Sequence, residues 1–292
     1  MGVRVGNISW EPTQIEKVWI GDSGEPGPTV GVLGGIHGDE LTGVNLVQDR
    51  RSDLAIDCGR IVLILGNPEA VKQGSRDTGL NLNRQIRELT PKELAKDYND
   101  LPYEVRRGQE LRAFLDICDA SLDLHDFTDP RGNPFIICER NSLTTARKIG
   151  APVISFGWSK TEPGATDGYM FGLGREGLCY EVGQKDNPQR NMRRGLAVVG
   201  RFLNTQGLLE GRFKPLFTDP TLVQTTEAFI RTAEDYRLAK DYVTFQELKT
   251  GELIAVHGGE RIYAKKGQVI IFPEPKAKIK TEAFTLGQTV AA

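Results

Sequence analysis

Histidine is scarce in this chain, and two of its three histidines, His37 and His125, directly follow short apolar segments. His37 comes after the glycine-rich turn Gly34-Gly35, and Glu40 stands three residues later at the start of a predicted helix. Residues at positions i and i+3 share a helix face, so an imidazole nitrogen and a carboxylate oxygen can converge on one cation. Those ligand types suit Zn²⁺. The alternative is a surface histidine near a helix N-terminus, with an acid that favours the helix dipole.

His125 ends the apolar segment Ser121–Leu124, which is predicted to be a strand. Open α/β sheets bind their ligands at the carboxyl ends of strands, so this position suits a second ligand. The alternative is an ordinary histidine at a strand end. Asp123 alternates to the same side of the strand and could accept a hydrogen bond from the imidazole. The third histidine, His257, lies in a predicted β-turn without a carboxylate at ligand spacing, and we expect no ligand role for it.

Two further segments carry groups that could bind or activate a substrate. Arg76, Asn83 and Arg84 lie in a stretch rich in turn residues, and guanidinium groups grip carboxylates in a bidentate manner. The alternative is a solvated loop whose arginines pair with surface acids. Glu181 ends the apolar strand Gly177–Val182, where a carboxylate is costly unless it is paired, bound to metal or titrating near neutrality. This placement suits a general base, unless the side chain is fully hydrated at the strand exit.

The elements that must position these residues alternate between short apolar strands and amphipathic helices. The pattern predicts an α/β fold with a mixed, largely parallel central sheet flanked by helices. After about residue 213 the pattern changes to short strands broken by glycine turns, including predicted strands at Glu227–Thr232 and Asp241–Phe245. We therefore expect an α/β domain that carries these residues over residues 1–213 and a β-rich C-terminal domain over residues 214–292.

Composition narrows the function classes. The 292 residues carry a formal net charge of −2, which argues against a nucleic-acid-binding protein. The sequence contains no apolar run of membrane-spanning length and no apolar core of a signal peptide, so we expect a cytoplasmic protein. The four cysteines lie far apart and form no C-x-x-C pair, which argues against disulfides and against a thiolate zinc site.

Taken in order, the motifs around these residues resemble the aspartoacylase/succinylglutamate desuccinylase family, which belongs to the wider zinc-carboxypeptidase-like fold. The resemblance extends from Thr29 to about Leu203 and covers the C-terminal region more loosely. It implies that His37, Glu40 and His125 bind one Zn²⁺ per chain and that Glu181 is the catalytic carboxylate. It also implies that Arg76 stabilises the transition state and that Arg76, Asn83 and Arg84 bind the substrate.

The chain departs from the family pattern at three positions. Asn81 stands where an acid is usual before Leu-Asn-Arg, and Asp126 stands where relatives more often have Asn or Thr. Phe284 lies about where a substrate-facing tyrosine is expected, and Tyr169 and Arg175 do not match the substrate-gripping pair of the family clearly. These departures concern the acyl group and the amino acid of the substrate rather than the metal ligands.

We therefore expect a zinc-dependent amide hydrolase that cleaves a small, carboxylate-bearing N-acyl amino acid to a carboxylic acid and a free amino acid. One alternative is a metallocarboxypeptidase or amidase that acts on a peptide-like substrate with the same site. Another is a non-catalytic zinc-binding protein, which the lack of cysteine in the motifs disfavours. Neither a nucleic acid nor a membrane is expected as a partner, and a homo-oligomer is left open.

Overall fold

The computed structural model of the protein describes residues 8–291. Its first nine strands are β1 (Ser9–Pro12), β2 (Val18–Asp22), β3 (Thr29–Gly34), β4 (Arg60–Leu65), β5 (Ala120–Phe127), β6 (Phe135–Cys138), β7 (Val153–Phe156), β8 (Glu176–Gln184) and β9 (Thr221–Ile230). The remaining strands are β10 (Arg237–Leu238), β11 (Gln246–Glu247), β12 (Leu253–His257), β13 (Glu260–Tyr263), β14 (Gln268–Ile271) and β15 (Glu282–Val290). The helices are α1 (Leu41–Asp49), α2 (Pro68–Gln73), α3 (Pro91–Leu94), α4 (Tyr103–Leu115), α5 (Leu143–Ile149), α6 (Thr166–Gly172) and α7 (Pro188–Thr205).

Within the described residues, twelve strands form one sheet in the order β1-β2-β4-β3-β5-β8-β6-β7-β9-β15-β14-β11. The four strands β4, β3, β5 and β8 are mutually parallel, and the first two strands and the last three run antiparallel to their neighbours. Helices cover the sheet, with α1 and α7 packed together on one of its faces. The predicted mixed, largely parallel α/β architecture is confirmed.

Burial on both faces explains why the central strands are short apolar runs. In β4 every residue from Ile61 to Leu65 is buried, as expected for a parallel strand covered by helices on both sides. Two glycines let α1 approach this layer closely. A Cβ atom on Gly34 would lie 2.5 Å from the Cα atom of Gly43, so the end of β3 and the first turn of α1 touch through their backbones.

The C-terminal strands continue the main sheet. Strand β9 pairs in parallel with β7, and β15 then pairs with β9 through an antiparallel register. The division at residues 213 and 214 stays a prediction. The predicted strand at Asp241–Phe245 is wrong, because these residues form a loop and turn before β11. Strands β10, β12 and β13 form a separate small sheet, and no helix in residues 8–291 is long and apolar enough to cross a membrane.

Candidate metal centre

Three neighbouring parallel strands deliver the predicted ligands and the predicted base to one edge of the sheet. Strand β3 leads through a glycine turn to His37 and Glu40, β5 contains His125, and β8 contains Glu181. His125 and Glu181 are direct partners in the register between β5 and β8. The carboxyl ends of adjacent parallel strands meet at the same edge, which is why residues so far apart in sequence converge here.

The two imidazole rings flank the carboxylate of Glu40. The Nδ1 atom of His37 lies 2.8 Å from Oε1 of Glu40, and Nδ1 of His125 lies 2.8 Å from Oε2. The ring centroids are 5.0 Å apart, and all three side chains are buried, with at most 4% exposed. Each of the three residues offers a ligand atom within 4.8 Å of the others, so one ion can contact all three.

The second nitrogen of each ring also faces an oxygen. Nε2 of His37 lies 3.1 Å from Oδ1 of Asn81, and Nε2 of His125 lies 3.0 Å from Oδ2 of Asp123. Oδ1 of Asn81 also accepts from the backbone N–H of Asn83, which identifies that atom as the oxygen. The prediction that Asp123 contacts the His125 imidazole is confirmed.

Counting protons gives the test of whether these residues fit a metal. A neutral imidazole carries one N–H, yet each ring here has both nitrogens against acceptor oxygens. If each Nε2 donates to its partner, both Nδ1 lone pairs point at the Glu40 carboxylate with nothing positive between them. A divalent cation supplies the same charge as the two missing protons. The donor set of two nitrogens and one carboxylate therefore fits Zn²⁺.

The close approach of these side chains shifts the pKa values of Glu40 and His125. Burial would raise the pKa of Glu40, but the charges of His37 and His125 and their hydrogen bonds outweigh it and hold this pKa well below its ordinary value. Burial would lower the pKa of His125, yet the charges of Asp123 and Glu40 raise it well above the ordinary value. The surrounding carboxylates therefore favour positive charge at this position.

Glu181 is buried beside this cluster with one oxygen unused. Its side chain is 7% exposed, and its Oε2 atom has no hydrogen-bond partner among residues 8–291. Burial raises the pKa of Glu181 to about 8, with His125 opposing the rise and Glu40 adding to it. A carboxylate with a free oxygen and a pKa near neutrality can exchange a proton with a bound water or amine.

Cys179, two residues before Glu181 on β8, is buried beside the cluster. Its thiol, His125 and Glu181 also offer ligand atoms within 4.8 Å of one another. Burial raises the pKa of the Cys179 thiol above its ordinary range, so the sulfur is a neutral thiol and a poor ligand. The scarcity of histidine indicates His125 on β5. Nothing in the sequence around Cys179 on β8 indicates that its thiol lies beside that ring.

Arg76 approaches the cluster from the solvent side. Its Nη1 atom donates to Oε1 of Glu40 at 2.9 Å, and about half of its side chain is exposed. The loop that carries it is anchored at Glu104, a buried carboxylate on α4 that accepts from the backbone and the hydroxyl of Thr78 at 2.7 Å each. Sequence reasoning missed Glu104, although a glutamate on the buried side of an amphipathic helix was a usable indication.

Asn83 and Arg84 closely follow Asn81, which contacts His37, and both are already engaged within the chain. Oδ1 of Asn83 accepts from the backbone N–H of Thr166 at 3.3 Å, and the Thr166 hydroxyl donates to Oδ2 of Asp123. The Nη2 group of Arg84 contacts the carboxylates of Glu162 and Glu282. The roles predicted for Arg76, Asn83 and Arg84 in substrate binding stay predictions.

Asp126, one of the departures noted in the sequence, supports the cluster from behind. Its Oδ2 atom accepts from the backbone N–H of Thr42 at 2.9 Å, and its Oδ1 atom accepts from Nδ2 of Asn191 at 3.2 Å. Its own backbone N–H donates to Oε2 of Glu40 at 3.2 Å. Asp126 therefore ties the first turn of α1, which follows Glu40, to β5 and α7.

Four other residues considered in the sequence lie away from the metal ligands. Phe284 is fully buried and stacks on Phe229. Tyr169 donates to Asp116, and Arg175 binds backbone carbonyls at the end of α4. Nε2 of His257 accepts from the backbone N–H groups of Thr232 and Ala233, which is the turn role expected for it.

Comparison with known proteins gives one consistent family. The model of the succinylglutamate desuccinylase/aspartoacylase catalytic domain matches residues 26–205. The chain is 37% identical to the aspartoacylase of Mus musculus over 123 residues, which are 39% of this chain and 38% of that protein. It is 25% identical to the succinylglutamate desuccinylase of Pseudomonas paraeruginosa over 278 residues, which are 84% of this chain and 79% of that protein.

Four relatives are 34–37% identical to this chain over the matched residues. The match spans only 34–38% of the length of those relatives. Among solved structures, the succinylglutamate desuccinylase from Vibrio cholerae superimposes with a TM-score of 0.74 at 16% identity, covering 97% of this chain and 91% of that one. This likeness shows a shared fold over nearly the whole chain.

Proposed function

The chain belongs to the succinylglutamate desuccinylase/aspartoacylase family of hydrolases, and from that premise we propose that it is a zinc-dependent deacylase of small N-acyl amino acids. The observation that carries the proposal is the pair of imidazoles whose ring nitrogens all face oxygens, with Glu40 between them. Such an arrangement lacks two positive charges, and a dication supplies them. The products would be a carboxylic acid and a free amino acid.

His37, Glu40 and His125 would hold the zinc, one ion per chain. When bound, the zinc supplies a Lewis acid that polarises the amide carbonyl and lowers the pKa of water toward about 7. Asp123 and Asn81 orient the two imidazoles by accepting from their Nε2–H groups. Asp126 fixes the start of the helix behind Glu40.

Glu181 performs the proton transfers. Its unpartnered Oε2 atom can accept a proton from the attacking water, and the protonated acid can then donate that proton to the leaving amine. In the metal-free protein, burial raises the pKa of Glu181 to about 8, so both protonation states are accessible near neutral pH. Arg76 stands beside Glu40 and would stabilise the oxyanion, an effect worth roughly 3–4 kcal/mol for one well-placed donor.

Asn83 and Arg84 would bind the substrate carboxylate. A guanidinium has five N–H groups, and the contacts of Arg84 within the described chain engage Nη1 and Nη2, so its Nε–H edge can serve the substrate.

A small substrate is favoured over a peptide by the burial around the metal ligands. His37, Glu40, His125 and Glu181 are all between 2% and 7% exposed. Glu282, from the C-terminal strand β15, lies against Arg84 and closes one side of the site.

We also propose that the protein is cytoplasmic, because its four cysteines are free thiols, as expected in a reducing compartment.

The test is a hydrolysis screen of N-acetyl, N-succinyl and N-formyl amino acids on zinc-loaded protein, alongside measurement of bound metal. We expect turnover with about one zinc per chain and a large loss of rate in the variant Glu181→Ala. Turnover of peptides alone would favour a carboxypeptidase. Bound zinc with no turnover of any amide would favour a non-catalytic zinc protein.

A further inference from the structure

Two glutamates share one arginine beside the metal centre. The Nη2 group of Arg84 contacts Glu162, and it lies 3.4 Å from Oε2 of Glu282. The three side chains are 28%, 11% and 23% exposed, so the group is only partly open to solvent. Among residues 8–291, Arg84 is the one basic side chain within 4 Å of either carboxylate. With both glutamates ionised, the cluster carries a net charge of −1.

A second negative group lies behind this cluster. Asp167 is 2% exposed, and its Oδ2 atom has no hydrogen-bond partner in the described part of the chain. Its charge acts on Glu162, whose pKa is raised well above its ordinary value by burial and by Glu282 as well. The raised pKa favours the protonated form of Glu162 in the free site, and a cation entering between the two carboxylates would favour its ionised form.

The cluster is close to the reacting centre. Asn81 contacts the metal ligand His37 through Oδ1, and Arg84 follows it by three residues in the same short turn. Three residues span at most about 11 Å, so the far end of a small substrate held at the metal can reach the cluster. Glu282 comes from β15 and Glu162 from the segment that follows β7, so the cluster lies where these segments meet the turn.

We propose that Arg84, Glu162 and Glu282 form a specificity subsite that selects N-acyl amino acids with a basic side chain. The ammonium or guanidinium group of the substrate would lie between Glu162 and Glu282, and the α-carboxylate would lie on the free edge of Arg84. With both glutamates ionised and the α-carboxylate bound, the cluster carries a net charge of −1 with a basic side chain, −2 with a neutral one and −3 with an acidic one, so the basic substrate is favoured. This inference rests on the proposed function for the reacting amide and extends it to the substrate side chain.

The first arm of the test uses the wild-type, zinc-loaded protein with four Nα-acetyl amino acids: ornithine, lysine, norleucine and glutamate. We expect kcat/KM for the basic substrates to exceed that for the glutamate derivative by about 100-fold, because like charges are brought together in the latter. Norleucine should fall between the two. Preference for the acidic or the neutral substrate would overturn the inference and leave the deacylase function standing.

The second arm uses the variants Glu282→Gln and Glu162→Gln, with the exposed Glu260→Gln on β13 as the matched control. Loss of one carboxylate should lower kcat/KM for acetyl-ornithine by about 10-fold to 100-fold and leave acetyl-norleucine within about 3-fold. Equal losses for both substrates would show a merely structural role and would refute the subsite.

A third readout separates failure of the subsite from failure of the deacylase function. Thermal unfolding of the zinc-loaded protein is measured with free ornithine or free glutamate at the same millimolar concentration. Ornithine should raise Tm more than glutamate does, and Glu282→Gln should abolish the difference, whether or not any amide is cleaved. If no substrate turns over, this shift alone decides the inference, and equal shifts refute it.

Discussion

Replacing Glu181 with glutamine separates the proposed catalytic role of this carboxylate from its effect on the free energy of unfolding. Burial raises the pKa of Glu181 from its ordinary value of 4.5 to about 8 in the metal-free protein. Between these pH values the folded chain binds more protons at this position than the unfolded chain, so the contribution of Glu181 to stability falls as pH rises. At roughly 1.4 kcal/mol per pH unit, the cost of the ionised form reaches about 5 kcal/mol above pH 8.

Glutamine keeps the shape of the side chain and removes the charge. In chelator-treated protein, we expect wild type and Glu181→Gln to have similar Tm values near pH 4. By pH 8.5 the variant should be more stable by several kcal/mol, which corresponds to a rise in Tm of about 10 °C. With zinc bound, its turnover should fall by about 10²-fold to 10⁴-fold, because proton transfer is lost.

The assay is thermal unfolding across this pH range, with Glu260→Gln as an exposed-acid control, together with initial rates on zinc-loaded protein. The control should change neither quantity. Identical pH slopes for wild type and Glu181→Gln would refute the assignment of a buried, neutral carboxyl at Glu181. Retained turnover would remove Glu181 from the chemistry, whatever its effect on stability.

Three further variants test the surroundings of the metal. Arg76→Ala should lower kcat by about 10²-fold to 10³-fold if its guanidinium stabilises the oxyanion, and added guanidinium ion should restore part of the rate. Asp126→Ala removes the acceptor for the Thr42 backbone N–H; zinc affinity, measured by competition with a chelator, should fall by about 10-fold to 100-fold. Gly34→Ala places a Cβ atom 2.5 Å from the Cα atom of Gly43, so α1 must shift. Denaturant unfolding should show that the free energy of unfolding falls by at least about 2 kcal/mol. An unchanged denaturation midpoint would contradict the close approach of these two backbones.

The convergence of His37, Glu40 and His125 could be predicted because the signals that place these residues are local. Each predicted ligand follows a short apolar run, and the observed strands Thr29–Gly34 and Ala120–Phe127 contain the runs from which His37 and His125 were placed. A parallel sheet then brings the strand ends together without any further information. The separation of three residues between His37 and Glu40 needed only the geometry of one turn.

The surroundings of Arg84 could not be predicted in the same way. Arg84 and Glu282 are 198 residues apart, and no local pattern indicates that β15 crosses to the turn at Asn81. The sequence pattern does not predict strand β15, and in this segment it indicates Phe284 rather than Glu282. A register shift between Glu282 and Phe284 breaks the alternation of faces at this point, so the carboxylate reaches Arg84 while the ring is buried against Phe229.

The predicted metal ligands and the proposed specificity subsite therefore depend on different parts of the fold. His37, Glu40 and His125 are positioned by neighbouring strands of one sheet and by hydrogen bonds such as the one from the backbone N–H of Thr42 to the Asp126 side chain. Glu162 comes from a loop and Glu282 from the C-terminal strand. Each contacts Arg84 through its side-chain carboxylate. Neutralising one of these glutamates should consequently change which substrate is bound and leave the bound zinc at one per chain. A variant that lost zinc and selectivity together would show that the two sites are mechanically one, and the separation argued from the strand topology would fail.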